Sequence, residues 1–124
     1  MPRIRGLIVV RLHEGSARVS WPADPDGDVF RRLQAQGFTF SEPHAIDFNV
    51  DFNEWPPPQE AIIALRSQHP NLEVVEPDAD SPGYVLFQVV GKVSYELVTS
   101  VQRSASSLVA KFGGVCESWG VLSS

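Results

Sequence analysis

Ile46-Asp47-Phe48-Asn49-Val50-Asp51-Phe52 is the stretch on which the fold turns. Large apolar side chains alternate with Asp, Asn and Asp. A period of two puts four apolar groups on one side of an extended chain and three polar groups on the other. The segment is read as a β-strand over 44–52 with one packed face. Pro56-Pro57-Pro58 stops it. Proline is tolerated in the first turn of a helix, so a helix is expected over about 57–68, with Ala61, Ile62 and Leu65 inward and Pro70 at its end.

Working outward, residues 71–77 and 83–91 read as two further strands. Between their centres, Leu72–Val75 and Tyr84–Val90, the stretch Glu76–Gly83 with Pro77, Asp78, Asp80 and Pro82 reads as a hairpin loop. Leu97, Val101, Ala105, Leu108 and Phe112 step by three or four, which predicts a long helix over 94–112. Gln102, Arg103, Ser106 and Lys111 fall elsewhere on its wheel. Gly113-Gly114 ends that helix, and 115–122 is the last strand. The order strand, helix, strand, strand, helix, strand implies an α+β, ferredoxin-like β-α-β-β-α-β two-layer sandwich, with strands in spatial order 4-1-3-2 and both helices on one face. Upstream, Pro22-Ala23-Asp24-Pro25-Asp26-Gly27 is a breaker cluster. A short helix follows it, with Asp26 or Asp28 near its N-cap and Gly37 just past its end. Residues 1–22, with short strand-like runs at Gly6–Leu12 and Ala17–Trp21, form an N-terminal extension. Residues 23–124 form the domain.

The composition suits one globular domain of 124 residues: 43% hydrophobic and 20% charged. The longest aliphatic run near the start, Leu7-Ile8-Val9-Val10, is far too short to cross a bilayer or to serve as a secretory core, and Arg11 cuts it off. A single cysteine, Cys116, excludes an internal disulfide and favours a reducing compartment. The expected location is cytoplasmic. The net charge is −5 and the pI about 5.0, the wrong sign for a general nucleic-acid or membrane-surface binder. Arg3, Arg5, Arg11 and Arg18 face only Glu14 in residues 1–23, whereas residues 24–124 carry 6 basic and 14 acidic side chains. The dispersed arginines are read as lying against the acidic body.

Catalytic and ligand motifs are missing. In Asp24-Pro25-Asp26-Gly27-Asp28 the glycine sits between the second and third acids, and position twelve is Ala35, so the calcium-loop pattern fails. Asp78-Ala79-Asp80 fails alike, with Val89 at position twelve. His13, His44 and His69 share no metal-ligand spacing and read as surface or rim residues. Cys116 reads as a core-facing thiol. There is no nucleophile elbow and no phosphate loop, and Gly113-Gly114 follows a helix instead of opening one. RNA-recognition domains carry aromatic and basic groups on the sheet, but the strand Tyr84–Val90 has no basic residue. Asn53-Glu54-Trp55-Pro56 occupies the place of the acylphosphatase loop. No metal, no cofactor and no catalytic residue are expected.

Two stretches resemble a known family. Phe112-Gly113-Gly114-Val115-Cys116-Glu117-Ser118-Trp119-Gly120 is similar to the C-terminal signature of the regulator of ribonuclease E activity B (RraB-like) family. There a helix ends near a phenylalanine and a strand reads close to Tyr-Asp-Gly-Trp-Gly. Trp119 and Gly120 match, while Cys116, Glu117 and Ser118 differ. Leu33-Gln34-Ala35-Gln36-Gly37 followed by Pro43-His44-Ala45-Ile46-Asp47-Phe48 resembles the family's short helix and first strand. The likeness spans residues 26–122. Phe48 and Asn49 stand where the best-known branch carries two histidines. The resemblance implies a non-enzymatic protein-interaction module whose partner is a protein, an endoribonuclease in that branch.

Strand alternation assigns Asp47, Asn49 and Asp51 to the face away from the helices. The small residues Cys116, Ser118 and Gly120 suit the helix side, which leaves Glu117 and Trp119 with the carboxylates and Tyr84 beside them. These six residues are the expected partner-binding patch, carboxylates beside aromatics, suited to a basic segment. The competing reading is a dimeric, ferredoxin-like domain that binds a small molecule or works as an enzyme, and it rests on fold analogy. The oligomeric state stays open.

Overall fold

The computed structural model describes residues 21–121; residues 1–20 and 122–124 lie outside the described residues. The strand-like runs expected before Trp21, with Leu7 and Val9, therefore fall outside them. The elements are α1 (Pro25–Ala35), β1 (Pro43–Phe52), α2 (Gln59–Gln68), β2 (Glu73–Val75), β3 (Tyr84–Lys92), α3 (Tyr95–Val109) and β4 (Gly114–Val121), with a 3-10 turn at Ala110–Phe112. The four strands form one antiparallel sheet in the order β2-β3-β1-β4. That is the anticipated 4-1-3-2 arrangement read from the other edge.

Each helix starts and stops where its sequence supplies the groups. Ser94 caps α3, its hydroxyl accepting from the Leu97 N–H at 3.1 Å. Asp24, not Asp26 or Asp28, caps α1, and Pro25 takes the first helical position. Pro25 has no N–H to leave unsatisfied, so the cap falls on the residue before it. Gly37 lies just past α1 with φ at 83°, as anticipated, in the left-handed region that disfavours a side chain. β2 is three residues long, shorter than expected, because only Glu73–Val75 finds partners on β3.

The strand alternation of β1 is realised. Ile46, Phe48 and Val50 are fully buried and join one core with Val85 and Phe87 of β3, Phe30 and Leu33 of α1, Ala61 and Leu65 of α2, and Val98, Ala105 and Val109 of α3. All three helices therefore supply the layer on this face. α3 lies along β4 and touches both α1 and α2. Its buried stripe is therefore turned by about one position from the one expected. Val98, Gln102, Ala105 and Val109 are its buried residues, while the expected Leu97, Val101 and Leu108 are only partly buried against the core.

The other correction is in β4. Val50 pairs with Cys116 but Asn49 pairs with Ser118, so Glu117 is an extra residue, a β-bulge. Beyond it every side chain changes face relative to a regular strand. Trp119 pairs with Phe48 and points with it into the helix-covered core, and Ser118 and Gly120 pair with Asn49 and Asp47 on the other side. Ser106 of α3 secures the bulge. Its hydroxyl accepts from the Cys116 N–H at 2.9 Å and donates to the Cys116 carbonyl at 3.2 Å.

Candidate functional site

The expected six-residue patch does not assemble on an open surface. Trp119 is 1% exposed, on the face opposite to the one anticipated, and the bulge at Glu117 is the reason. Asp47, Asn49 and Tyr84 do lie on the face away from the helices, but they are buried as well, at 5%, 0% and 6% exposure, and Leu86 beside them is at 2%. Asp47 is no solvated carboxylate: the Gln88 side-chain amide donates to it at 2.8 Å. Asp51 is half-buried and Glu117 is exposed. Of the six, Glu117 therefore keeps a surface position on the helix-packed side of β4.

A polar constellation that the sequence reading did not single out is centred on the start of α1. The chain turns at Pro22, whose carbonyl accepts from the Asp24 N–H at 2.9 Å. A Cβ at Gly27 would stand 1.9 Å from that carbonyl oxygen, so this turn needs a glycine there. Asp24 then accepts from the Gly27 N–H at 2.7 Å and from the Tyr95 hydroxyl at 2.5 Å. The Tyr95 bond, followed by the Gly27 amide, holds the Asp24 carboxyl below the ordinary carboxylate range. The same bond raises Tyr95 above the usual phenol value.

Asp26, in the first turn of α1, joins three elements. One oxygen accepts from the Trp119 indole N–H at 2.9 Å, the other from the Gln102 amide at 3.1 Å. A buried indole N–H needs an acceptor, and the acid of Asp-Pro-Asp-Gly supplies it. That need was the signal by which Asp26 could have been found. Gln102, placed on the polar side of the α3 wheel, is buried because α1 lies over it.

Around these residues lies a cleft of about 410 Å³ whose lining includes Asp24, Asp26, Gln102, Arg103, Cys116 and Glu117. Three carboxylates face one guanidinium, so the cleft is acidic. Burial pushes the Cys116 thiol up to about 12, with Asp51 and Asp26 adding to the shift. At neutral pH it is a protonated core group and no nucleophile. His44 is engaged with the Thr39 carbonyl at 2.9 Å, and His69 stacks on Phe87 with ring centroids 3.8 Å apart. His13 lies outside the described residues. Among the described residues no group of three or more His, Cys, Asp and Glu is arranged to hold a metal ion. No helix there is long and apolar enough to cross a membrane.

Fold and cleft together define a small α+β domain, one helix layer on a four-stranded antiparallel sheet, with a carboxylate-lined groove at its surface. Residues 23–121 match the family model described as regulator of ribonuclease activity B. The chain belongs to that family, as the matches around Trp119 and Gly37 implied, and the family is named for regulating ribonuclease activity. No curated protein matches the chain.

Proposed function

We propose that this protein is a non-enzymatic regulator that acts by binding a ribonuclease, on a ferredoxin-like domain of residues 23–124, in the cytoplasm and without a cofactor. The observation that carries this reading is the family match over residues 23–121. The acidic cleft of Asp24, Asp26 and Glu117 supports it as a contact surface for a basic segment of the partner. Of the residues expected from the sequence, Glu117 belongs to this surface. Asp47, Asn49, Tyr84 and Trp119 contribute by holding the sheet and the cleft in shape, and Asp51 adds to the negative potential around Cys116.

The test is capture and inhibition. The immobilised full chain is exposed to extract of its own source cells at mild salt, and bound proteins are identified by mass spectrometry. Any ribonuclease recovered is then assayed on labelled RNA with and without the protein. Recovery of a ribonuclease whose rate changes supports the reading, and Glu117→Lys should weaken the capture. If no ribonuclease is retained, or if the retained enzyme cuts RNA at an unchanged rate, the reading fails.

A further inference from the structure

A second cavity, of about 500 Å³, is lined by Trp21, Phe30, Phe40, Tyr95, Gln34 and Glu96, among others. The Tyr95–Asp24 hydrogen bond links it to the acidic cleft. Phe30 is fully buried, and its ring centroid lies 5.3 Å from that of Trp21, 5.9 Å from Phe40 and 6.2 Å from Tyr95. Trp21, Phe40 and Tyr95 keep part of their surface in solvent. The lining thus combines four aromatic rings, one exposed carboxylate and no basic side chain. Arg31, attached nearby, is already engaged with the carbonyls of Trp21 and Pro22 and with Asp28.

Aromatic faces carry negative potential and attract cations, with tryptophan the strongest. A carboxylate at the rim adds to the attraction and gives it an end point. A guanidinium, being planar and weakly hydrated, stacks on such rings better than an ammonium does. A phosphate finds no basic side chain in the lining to balance its charge, and Glu96 repels it. We infer that this aromatic cavity receives an arginine side chain of the protein partner, Trp21 and Tyr95 flanking the guanidinium and Glu96 pairing with it. The inference rests on the protein-binding reading above and specifies the chemistry of the segment bound. Two acidic features in a row, the cavity and the cleft, then favour a stretch bearing more than one cation.

The probe is the peptide Ac-Gly-Arg-Gly-amide, titrated into the ¹⁵N-labelled full chain while the three indole N–H resonances are followed. The Trp21 resonance should move with the arginine peptide and stay in place with the uncharged isostere Ac-Gly-citrulline-Gly-amide. Those of Trp55 and Trp119 should not move. Glu96→Gln should weaken the peptide about two- to fivefold, as expected for an exposed ion pair, and Trp21→Ala should abolish the response of the Tyr95 and Glu96 amides. Equal shifts with citrulline, or a Trp21 response to adenosine monophosphate and none to arginine, would overturn the assignment. A ribonuclease captured equally well by wild type, Glu96→Gln and Trp21→Ala would overturn it too, while sparing the regulatory reading. Arginine-peptide binding without ribonuclease capture would uphold the cavity and remove that reading instead.

Discussion

Asp26 carries more of the structure than its position in a breaker cluster suggests. Its two oxygens accept from a buried indole and a buried amide, one from β4 and one from α3. Asp26→Ala strands both donors and is expected to cost about 1–3 kcal/mol in urea unfolding. Asp26→Asn, which retains one acceptor oxygen, should cost less. Asp24 gives a pH signature. Its folded-state value is depressed, so its contribution is present above the ordinary 3.8 and is lost as the pH falls below that through the folded value. Tyr95→Phe removes the largest cause. The variant should melt lower than wild type at pH 6, and the gap should shrink as the pH drops below 4; a gap independent of pH would rule out this linkage. His69 behaves likewise from 6.5 downward, because burial against Phe87 lowers its value and favours the neutral ring. His69→Gln should flatten the loss of stability as the pH falls below 6.5.

At the scale of elements the bulge in β4 decides most. Glu117 is exposed and off the ladder, so Glu117→Ala should change stability by no more than about 0.5 kcal/mol. Deleting Glu117 instead removes the extra residue and leaves a regular strand in which Cys116, Trp119 and Val121 still face the core and Ser118 and Gly120 still face away. That variant is expected to keep the near-ultraviolet circular dichroism of a buried Trp119, and loss of that signal would mean that the extra residue is needed to hold β4 on the sheet. Ser94→Ala, which removes the α3 cap, should cost about 0.5–2 kcal/mol. The same bulge explains where sequence reading succeeded and where it stopped. β1 runs with unbroken alternation and faces a covered side, so Ile46, Phe48 and Val50 were legible as core. Cys116-Glu117-Ser118-Trp119-Gly120 also alternates small with large, as a regular strand would. The pairing to Asn49 and Val50 that inserts the bulge is a long-range property, absent from β4's own residues. α3 was legible in extent but not in facing, because the layer that buries Gln102 is α1, which lies some seventy residues earlier in the chain.

In the whole molecule, the strand order followed from the order of elements, since split crossovers leave few ways to close an antiparallel sheet. Phe48 sits where β1, β3 and β4 meet, with its ring 5.4 Å from that of Phe87. Phe48→Ala should cost about 3–5 kcal/mol, and a loss below 1 kcal/mol would mean the sheet is not packed as described. The candidate surface was the least legible part. A groove made by the start of α1, the side of α3 and a bulged edge exists only after those three are brought together, and Glu117 lies far along the chain from Asp24 and Asp26. Finally, the silent thiol of Cys116 turns the molecule into its own clock. With about 3% of its surface exposed and its proton held to about pH 12, it meets an alkylating reagent only when β4 lifts from α3. At a reagent concentration that traps the thiol faster than β4 recloses, the labelling rate at neutral pH therefore counts those openings. Comparing it with the rate of global unfolding would tell whether the bulged edge detaches alone or only when the entire sheet comes apart.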